Sequence, residues 1–179
     1  DSALHQAVRF SGALLDRVDT DKALRFGGLT GLRLNIGRIE GGIKANMIAP
    51  TTELRFGFRP LPSQDIDRLH AEFRAMLPVA ERAVYQEMFR GPSLPSGDVA
   101  TAEERRLAAR DAADALGLPI GNAVDFWTEA SLFSQAGYQA LVFGPGDIRQ
   151  AHTADEWVAI DQLERAALHY SKVIQHGLG

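Results

Sequence analysis

The sequence predicts an α+β domain followed by an α/β segment, and three observations carry that prediction. Helical and alternating apolar patterns follow one another as helix, strand, strand, helix, strand over residues 3–89. The stretch Gly91-Pro92-Ser93-Leu94-Pro95-Ser96-Gly97 then has the composition of a linker. Beyond it, helical patterns alternate with one short continuous apolar run, the habit of an α/β layer. The boundary falls at Gly91, giving domains 1–91 and 92–179.

Taken in order, Ala3 to Val18 repeats apolar residues at Leu4, Ala7/Val8, Leu14/Leu15 and Val18, with Asp1 or Ser2 as the cap, and predicts an amphipathic helix. Leu29 to Ile39 alternates Leu32, Leu34 and Ile36 with Arg33 and Asn35, which is the period of a half-buried strand. Glu53 to Arg59 alternates in the same way, with Leu54, Phe56 and Phe58 on the apolar side. Ser63 stands where it would cap a second helix with stripe Ile66, Leu69, Phe73 and Met76/Leu77, stopped by Pro78. Ala83 to Phe89 reads as a third strand, Val84, Gln86 and Met88 on one face and Tyr85, Glu87 and Phe89 on the other. This order is a β-α-β-β-α-β, ferredoxin-like unit missing its first strand, which would lie upstream of Asp1. Asp1-Ser2 enters a helix with no initiator methionine, as a segment of a longer chain would.

After the linker, Thr101-x-x-Glu104 has the form of a capping box opening a helix to Leu116, ended by Gly117 and Pro119. Thr128 to Ala136 predicts a short helix and Tyr138 to Phe143 a buried strand. Asp161 to Gln175 predicts a last helix with stripe Leu163, Ala167, Tyr170 and Ile174.

Composition narrows the function. The 179 residues are 45% apolar and 23% charged, with a formal net charge of −4, so the basic stripe of a nucleic-acid binder is missing. The chain has no cysteine, which excludes disulfides and thiolate sites. No run approaches the roughly 20 apolar residues of a membrane span, and no signal-peptide pattern opens the chain. A soluble cytoplasmic protein is expected.

Chemistry concentrates near one turn. Val142-Phe143-Gly144-Pro145-Gly146 ends an apolar run in a stiff exit that presents His152, an imidazole able to ligate a metal, exchange a proton or cap a carbonyl. Glu156, four residues on, could share a metal with it or act as a helix-start carboxylate. Thr128 could present backbone N–H groups to a substrate carboxylate or simply cap its helix. Asn46 suits a turn, and Arg59, at a strand end before Pro60, suits either an anion or solvent. His5, His70, His169 and His176 fall within helices and read as surface or packing residues. No nucleophile stands beside a base.

Together, Gly41-Gly42-x-x-x-Asn46-x-Ile48, Phe58-Arg59-Pro60-Leu61-Pro62, Thr128-Glu129-Ala130 and Gly144-Pro145-Gly146-x-x-x-x-Ala151-His152-x-x-Asp155-Glu156 resemble the M20 metallopeptidase family, and within it the acetylornithine deacetylase branch. The resemblance implies a two-layer lid and dimerisation domain followed by the C-terminal portion of an α/β zinc-hydrolase catalytic domain. It implies deacetylation of an N-acetylated amino acid, acetylcitrulline or acetylornithine, in arginine biosynthesis, by a homodimer joined through the lid. Two Zn2+ per protomer are implied, with Co2+ as a substitute. His152 would be a metal ligand; Asn46, Arg59, Thr128, Gly144 and Gly146 would bind substrate. The remaining ligands and the general base would lie upstream, so the resemblance implies no catalytic residue within this chain, and the chain alone would be inactive. Gly57 and Trp127 depart from the family pattern, and Trp127 is compatible with a neutral ureido side chain. The alternative class is a non-catalytic dimerising or ligand-binding module.

Overall fold

Alternation of apolar and polar residues in one hairpin organises the first half. A computed structural model describes residues 2–176 of the chain as an α+β structure. Asp1 and the side chain of His176 lie outside the described residues. Strand β3 (Arg33–Gly41) pairs antiparallel with β4 (Thr52–Arg59), setting Leu34 opposite Phe58 and Ile36 opposite Phe56. The ladder slips between Ile36 and Arg38, a bulge at Gly37. In β4 every second residue, from Thr52 to Phe58, turns inward, as expected of a strand with one face on a core.

Two helices cover that face. Helix α1 (Ala3–Thr20) contributes Phe10 and Leu14, and α2 (Ile66–Ala75) contributes Leu69 and Phe73, all buried around Leu32. Phe56 is the hub of the aromatic packing, its ring edge-to-face with Phe10 and Phe73 at 6.0 Å each. The inward line of α1 runs through Phe10, outside the predicted stripe, while Val8 and Leu15 stay exposed. Ser2 occupies the N-cap position of α1 without a side-chain cap bond.

Several local expectations are corrected. The predicted strand 29–39 is divided: β1 (Arg25–Phe26) and β2 (Leu29–Thr30) form their own hairpin, and Gly31 at φ +64° turns the chain before β3. Only glycine adopts that conformation at little cost. The cap of α2 is Asp65, not Ser63: its carboxylate accepts the N–H groups of Asp67 at 2.9 Å and Arg68 at 3.1 Å. Ala83–Phe89 is extended at Ala83 but joins no ladder. Its alternation persists in burial, Tyr85 and Glu87 half-buried while Val84 and Met88 face outward.

In the second half, α3 (Val99–Ala115) is capped by the Asp98 side chain on the Thr101 N–H at 2.9 Å, so the Thr101/Glu104 capping box does not form. Its far end is a Schellman turn: Leu118 N donates to Ala113 O at 2.9 Å and Gly117 N to Asp114 O at 3.0 Å, with Gly117 at φ +63°. Helix α4 (Ala130–Gln135) ends the same way through Gly137 and Tyr138. Residues 138–143 are not the expected buried strand; Tyr138 is 67% exposed and Val142 52%. A strand in an α/β layer pairs with neighbouring strands and is covered by helices on its faces, and among the described residues the second half holds no strand to pair with this segment.

Helix α5 (Ile160–His176) buries Ala166, with Gln162, His169 and Val173 beside it on the inward side. The predicted stripe Leu163, Tyr170 and Ile174 is instead largely exposed, one position around the helix. A small cluster of Phe26, Leu61 and Ala102, flanked by Leu29, joins the β1–β2 hairpin to α3. No described helix is long and apolar enough to cross a membrane.

Candidate functional site

The hairpin delivers Arg59 to the rim of a cleft of about 1120 Å³. Pro60 follows directly, so the strand stops and the guanidinium is left at the ladder's end, exposed. Residues 122–128, including Asp125, Trp127 and Thr128, line the same cleft. Trp127 packs edge-to-face on Phe89 at 5.2 Å. It also lies against Gly91 so closely that a Cβ there would come within 2.0 Å of the indole nitrogen. Gly91, chosen from sequence as a linker residue, therefore makes room for an aromatic wall of the cleft.

Thr128 lines the same cleft just before α4. Its carbonyl accepts Ser131 N at 3.1 Å and Ser131 Oγ at 2.8 Å, while its own hydroxyl meets Ala130 N only at 3.4 Å. The turn is thus set by the backbone oxygen, and the hydroxyl is weakly engaged.

The Gly144-Pro145-Gly146 turn is held from α5. Tyr170 Oη donates to Phe143 O at 2.7 Å, and Gly146 N donates to Gln162 Oε1 at 3.1 Å. Gly146 sits at φ +103°, a conformation open to glycine. Asp147 then caps the 3-10 turn Ile148–Gln150, accepting Arg149 N at 3.0 Å and pairing with its guanidinium. Those hydrogen bonds hold the Asp147 carboxyl at about 2, well below its usual value.

His152 follows at φ 62°, the one described non-glycine residue in the left-handed region. Such a conformation costs a side-chain-bearing residue roughly 1–2 kcal/mol and clusters at functional positions. Its N–H donates to Glu156 Oε2 at 3.0 Å, so that carboxylate holds the backbone at His152. Residues 152–156 are not helical, so the helix geometry that would have placed both side chains on one face is absent. Among the described residues no group of three or more His, Cys, Asp or Glu could hold a metal ion. The residues present fit one imidazole ligand and not a whole site.

Asn46 lies in the exposed β3–β4 connection, inside a turn closed by Met47 N on Lys44 O at 3.1 Å. Arg59 and Thr128 are thus brought to one cleft, whereas Asn46, Gly144, Gly146 and His152 do not line it; Val142 and Ile148, on either side of the Gly-Pro-Gly turn, do.

A polar network in this cleft escaped the sequence reading. His70, buried on α2, contacts Tyr85 Oη through Nδ1 at 2.8 Å and Glu87 Oε1 through Nε2 at 3.3 Å. Arg90 clamps Glu87 at 2.6 and 2.9 Å and reaches Asp67 at 2.7 Å. The Arg90 bonds lower the Glu87 carboxyl below the usual range, and burial raises the Tyr85 hydroxyl. The network fastens the unladdered segment 83–90 to α2. The available signals were His70 beside the apolar stripe and the shared face of Tyr85 and Glu87.

Comparison with known proteins gives the architecture a family. Residues 1–83 match the M20 peptidase dimerisation domain. The chain is 68% identical over 173 residues to N-acetyl-L-citrulline deacetylase of Xanthomonas campestris pv. campestris, covering 97% of this chain and 47% of that protein. It is 30% identical to acetylornithine deacetylase of Myxococcus xanthus, over 82% of this chain and 38% of the relative. It is 33% identical to acetylornithine deacetylase of Pectobacterium atrosepticum, over 80% and 37%. The chain spans less than half the length of these curated relatives. Residues 1–83 thus belong to the M20 peptidase dimerisation-domain family, and the chain as a whole is similar to deacetylases.

Proposed function

We propose that this chain forms the lid and the histidine-bearing wall of a hydrolase that removes acetyl from an N-acetylated amino acid in arginine biosynthesis, N-acetyl-L-citrulline ahead of N-acetyl-L-ornithine. The 68% identity to a protein named N-acetyl-L-citrulline deacetylase carries this reading. The meeting of Arg59 and Thr128 on one cleft supports it. Residues 1–91 act as the ferredoxin-like lid through which two copies associate, and residues 92–179 as the C-terminal portion of a cytoplasmic catalytic domain. In that domain segment 138–143 gains strand partners from outside the described residues.

Arg59 binds the substrate carboxylate in bidentate fashion, and Thr128 with the Gly144–Gly146 turn shapes the pocket. Asn46 contacts substrate when the lid closes. His152 supplies one imidazole to a zinc pair, whose other ligands and general base come from outside the described residues. A metal bound there would supply Lewis-acid activation of a water for amide hydrolysis. The work of this chain is to bind the carboxylate, hold His152 and close over the substrate.

The test uses a polypeptide that supplies the remaining ligands. It is assayed for free citrulline and ornithine released from the two acetylated substrates, with His152→Ala and Arg59→Gln beside it. Loss of activity in His152→Ala, and a KM-dominated loss in Arg59→Gln, are expected. A metal-loaded dimer that hydrolyses neither substrate would return the chain to the class of non-catalytic dimerising modules.

A further inference from the structure

We infer that Arg33 is the second guanidinium of a carboxylate-binding site, shared with Arg59, and that Asp125 competes for it. The inference rests on the reading of Arg59 as the contact for the substrate carboxylate and adds a residue that neither the motifs nor the relatives' names assign.

The β3–β4 register sets Arg33 directly opposite Arg59, and both line the cleft. Directly opposed residues in an antiparallel pair have Cβ atoms about 5 Å apart, and like charges there repel. The same ladder holds a second such pair, Arg38 opposite Arg55, and the contrast between the two is informative. Arg38 is paired with Glu40 and Arg55 with Glu53, each two residues along its own strand. At the other end, Arg59 has no carboxylate partner among the described residues. Arg33 has only Asp125, at 3.8 Å, with both side chains more than half exposed. One end of the polar face is therefore balanced by glutamates, and the cleft end carries unbalanced positive charge.

Two guanidinium forks carried by directly opposed residues can meet the two oxygens of one carboxylate, and a bound carboxylate would relieve their repulsion. The ligand class is the α-carboxylate of a small N-acyl amino acid. A neutral amide in its place offers one acceptor and no charge. Asp125 lines the same cleft, and its contact with Arg33 at 3.8 Å occupies the arginine until a ligand carboxylate displaces it.

The experiment measures binding to the purified 179-residue chain at low salt, with N-acetylglycine and neutral N-acetylglycinamide as probes. Arginine Nε–H NMR signals serve as the readout, so no metal or turnover is needed. N-acetylglycine is expected to shift both the Arg33 and Arg59 signals, and the amide neither. Arg33→Gln should weaken binding roughly tenfold, the scale of one charge-assisted pair. Asp125→Asn should strengthen it several-fold, and Arg38→Gln should leave it unchanged.

If Arg59 shifts while Arg33 does not, and Arg33→Gln binds as well as the parent, the role of Arg33 is overturned and that of Arg59 stands. If the acid and the amide bind alike, the reading of Arg59 fails and takes the inference with it. A loss in Arg38→Gln equal to that in Arg33→Gln would reduce the site to diffuse charge and overturn it too.

Discussion

The backbone N–H of His152 donates to Glu156 Oε2 at 3.0 Å, and the residue so held sits at φ 62°. An imidazole-bearing residue in a conformation suited to glycine is retained at a cost in stability. His152→Gly should therefore leave urea stability unchanged or raise it by up to about 1 kcal/mol, relief of strain being partly offset by the freer unfolded chain. Deacetylase activity of the ligand-complete polypeptide should disappear in the same variant. A drop in stability of more than about 1 kcal/mol would mean that the imidazole itself holds the loop.

Gly91 and Trp127 are coupled by contact. A methyl group at residue 91 would overlap the indole, since its nearest atom is 2.0 Å away. Gly91→Ala should push Trp127 off Phe89, alter tryptophan fluorescence and cost about 1–3 kcal/mol. In the Trp127→Ala background the same change should be nearly neutral. An equal cost in both backgrounds would assign the effect to backbone conformation at Gly91 instead of contact.

Two candidate caps lie ahead of α2, and only Asp65 makes the bonds. Asp65→Ala should cost about 0.5–2 kcal/mol in chemical denaturation, whereas Ser63→Ala should stay within about 0.5 kcal/mol. The reverse order would mean that Ser63 caps the helix in solution.

That pair shows where sequence reading succeeds and where it stops. The inward face of β4 was legible because alternation is a local property and Leu54, Phe56 and Phe58 need only one core beneath them. The α2 stripe through Leu69 and Phe73 was legible for the same reason. Ser63 and Asp65 are both good caps, and the choice between them depends on where the first helical turn closes. Segments 83–89 and 138–143 have strand patterns, but a ladder belongs to two segments, and a one-segment pattern cannot supply the second.

The face of α5 was misplaced by one position because Leu163, Tyr170 and Ile174 are apolar yet exposed, while Gln162 and His169 are partly buried. Of the site, the Arg59 strand end and the Gly-Pro-Gly turn were visible as motifs. The opposition of Arg33 to Arg59 and the tie of His70 to Glu87 arise from register and packing, which no local pattern encodes.

Asp147 and Arg149 stiffen the turn that leads to His152, and their coupling has a definite pH signature. Hydrogen bonds from the Arg149 side chain, and then its backbone N–H, lower the Asp147 carboxyl from 3.8 to about 2, with a small opposing contribution from burial. A carboxylate whose folded pKa is depressed binds fewer protons in the folded state than in the unfolded one. Its contribution is therefore fully present above the unfolded value and fades as pH falls through the folded value. Comparing the parent with Asp147→Asn, the stability difference should be constant above about pH 5, shrink below 3.8 and approach a minimum near pH 2. Both groups are exposed to solvent, so 0.5 M salt should compress the whole difference. Arg149→Gln should remove the side-chain part of the pH dependence and leave the part due to the backbone N–H of residue 149, whereas Asp147→Asn should remove all of it. A carboxyl NMR titration that places Asp147 near the ordinary aspartate value would dismiss the coupling, and with it the claim that this pair fixes the approach to His152.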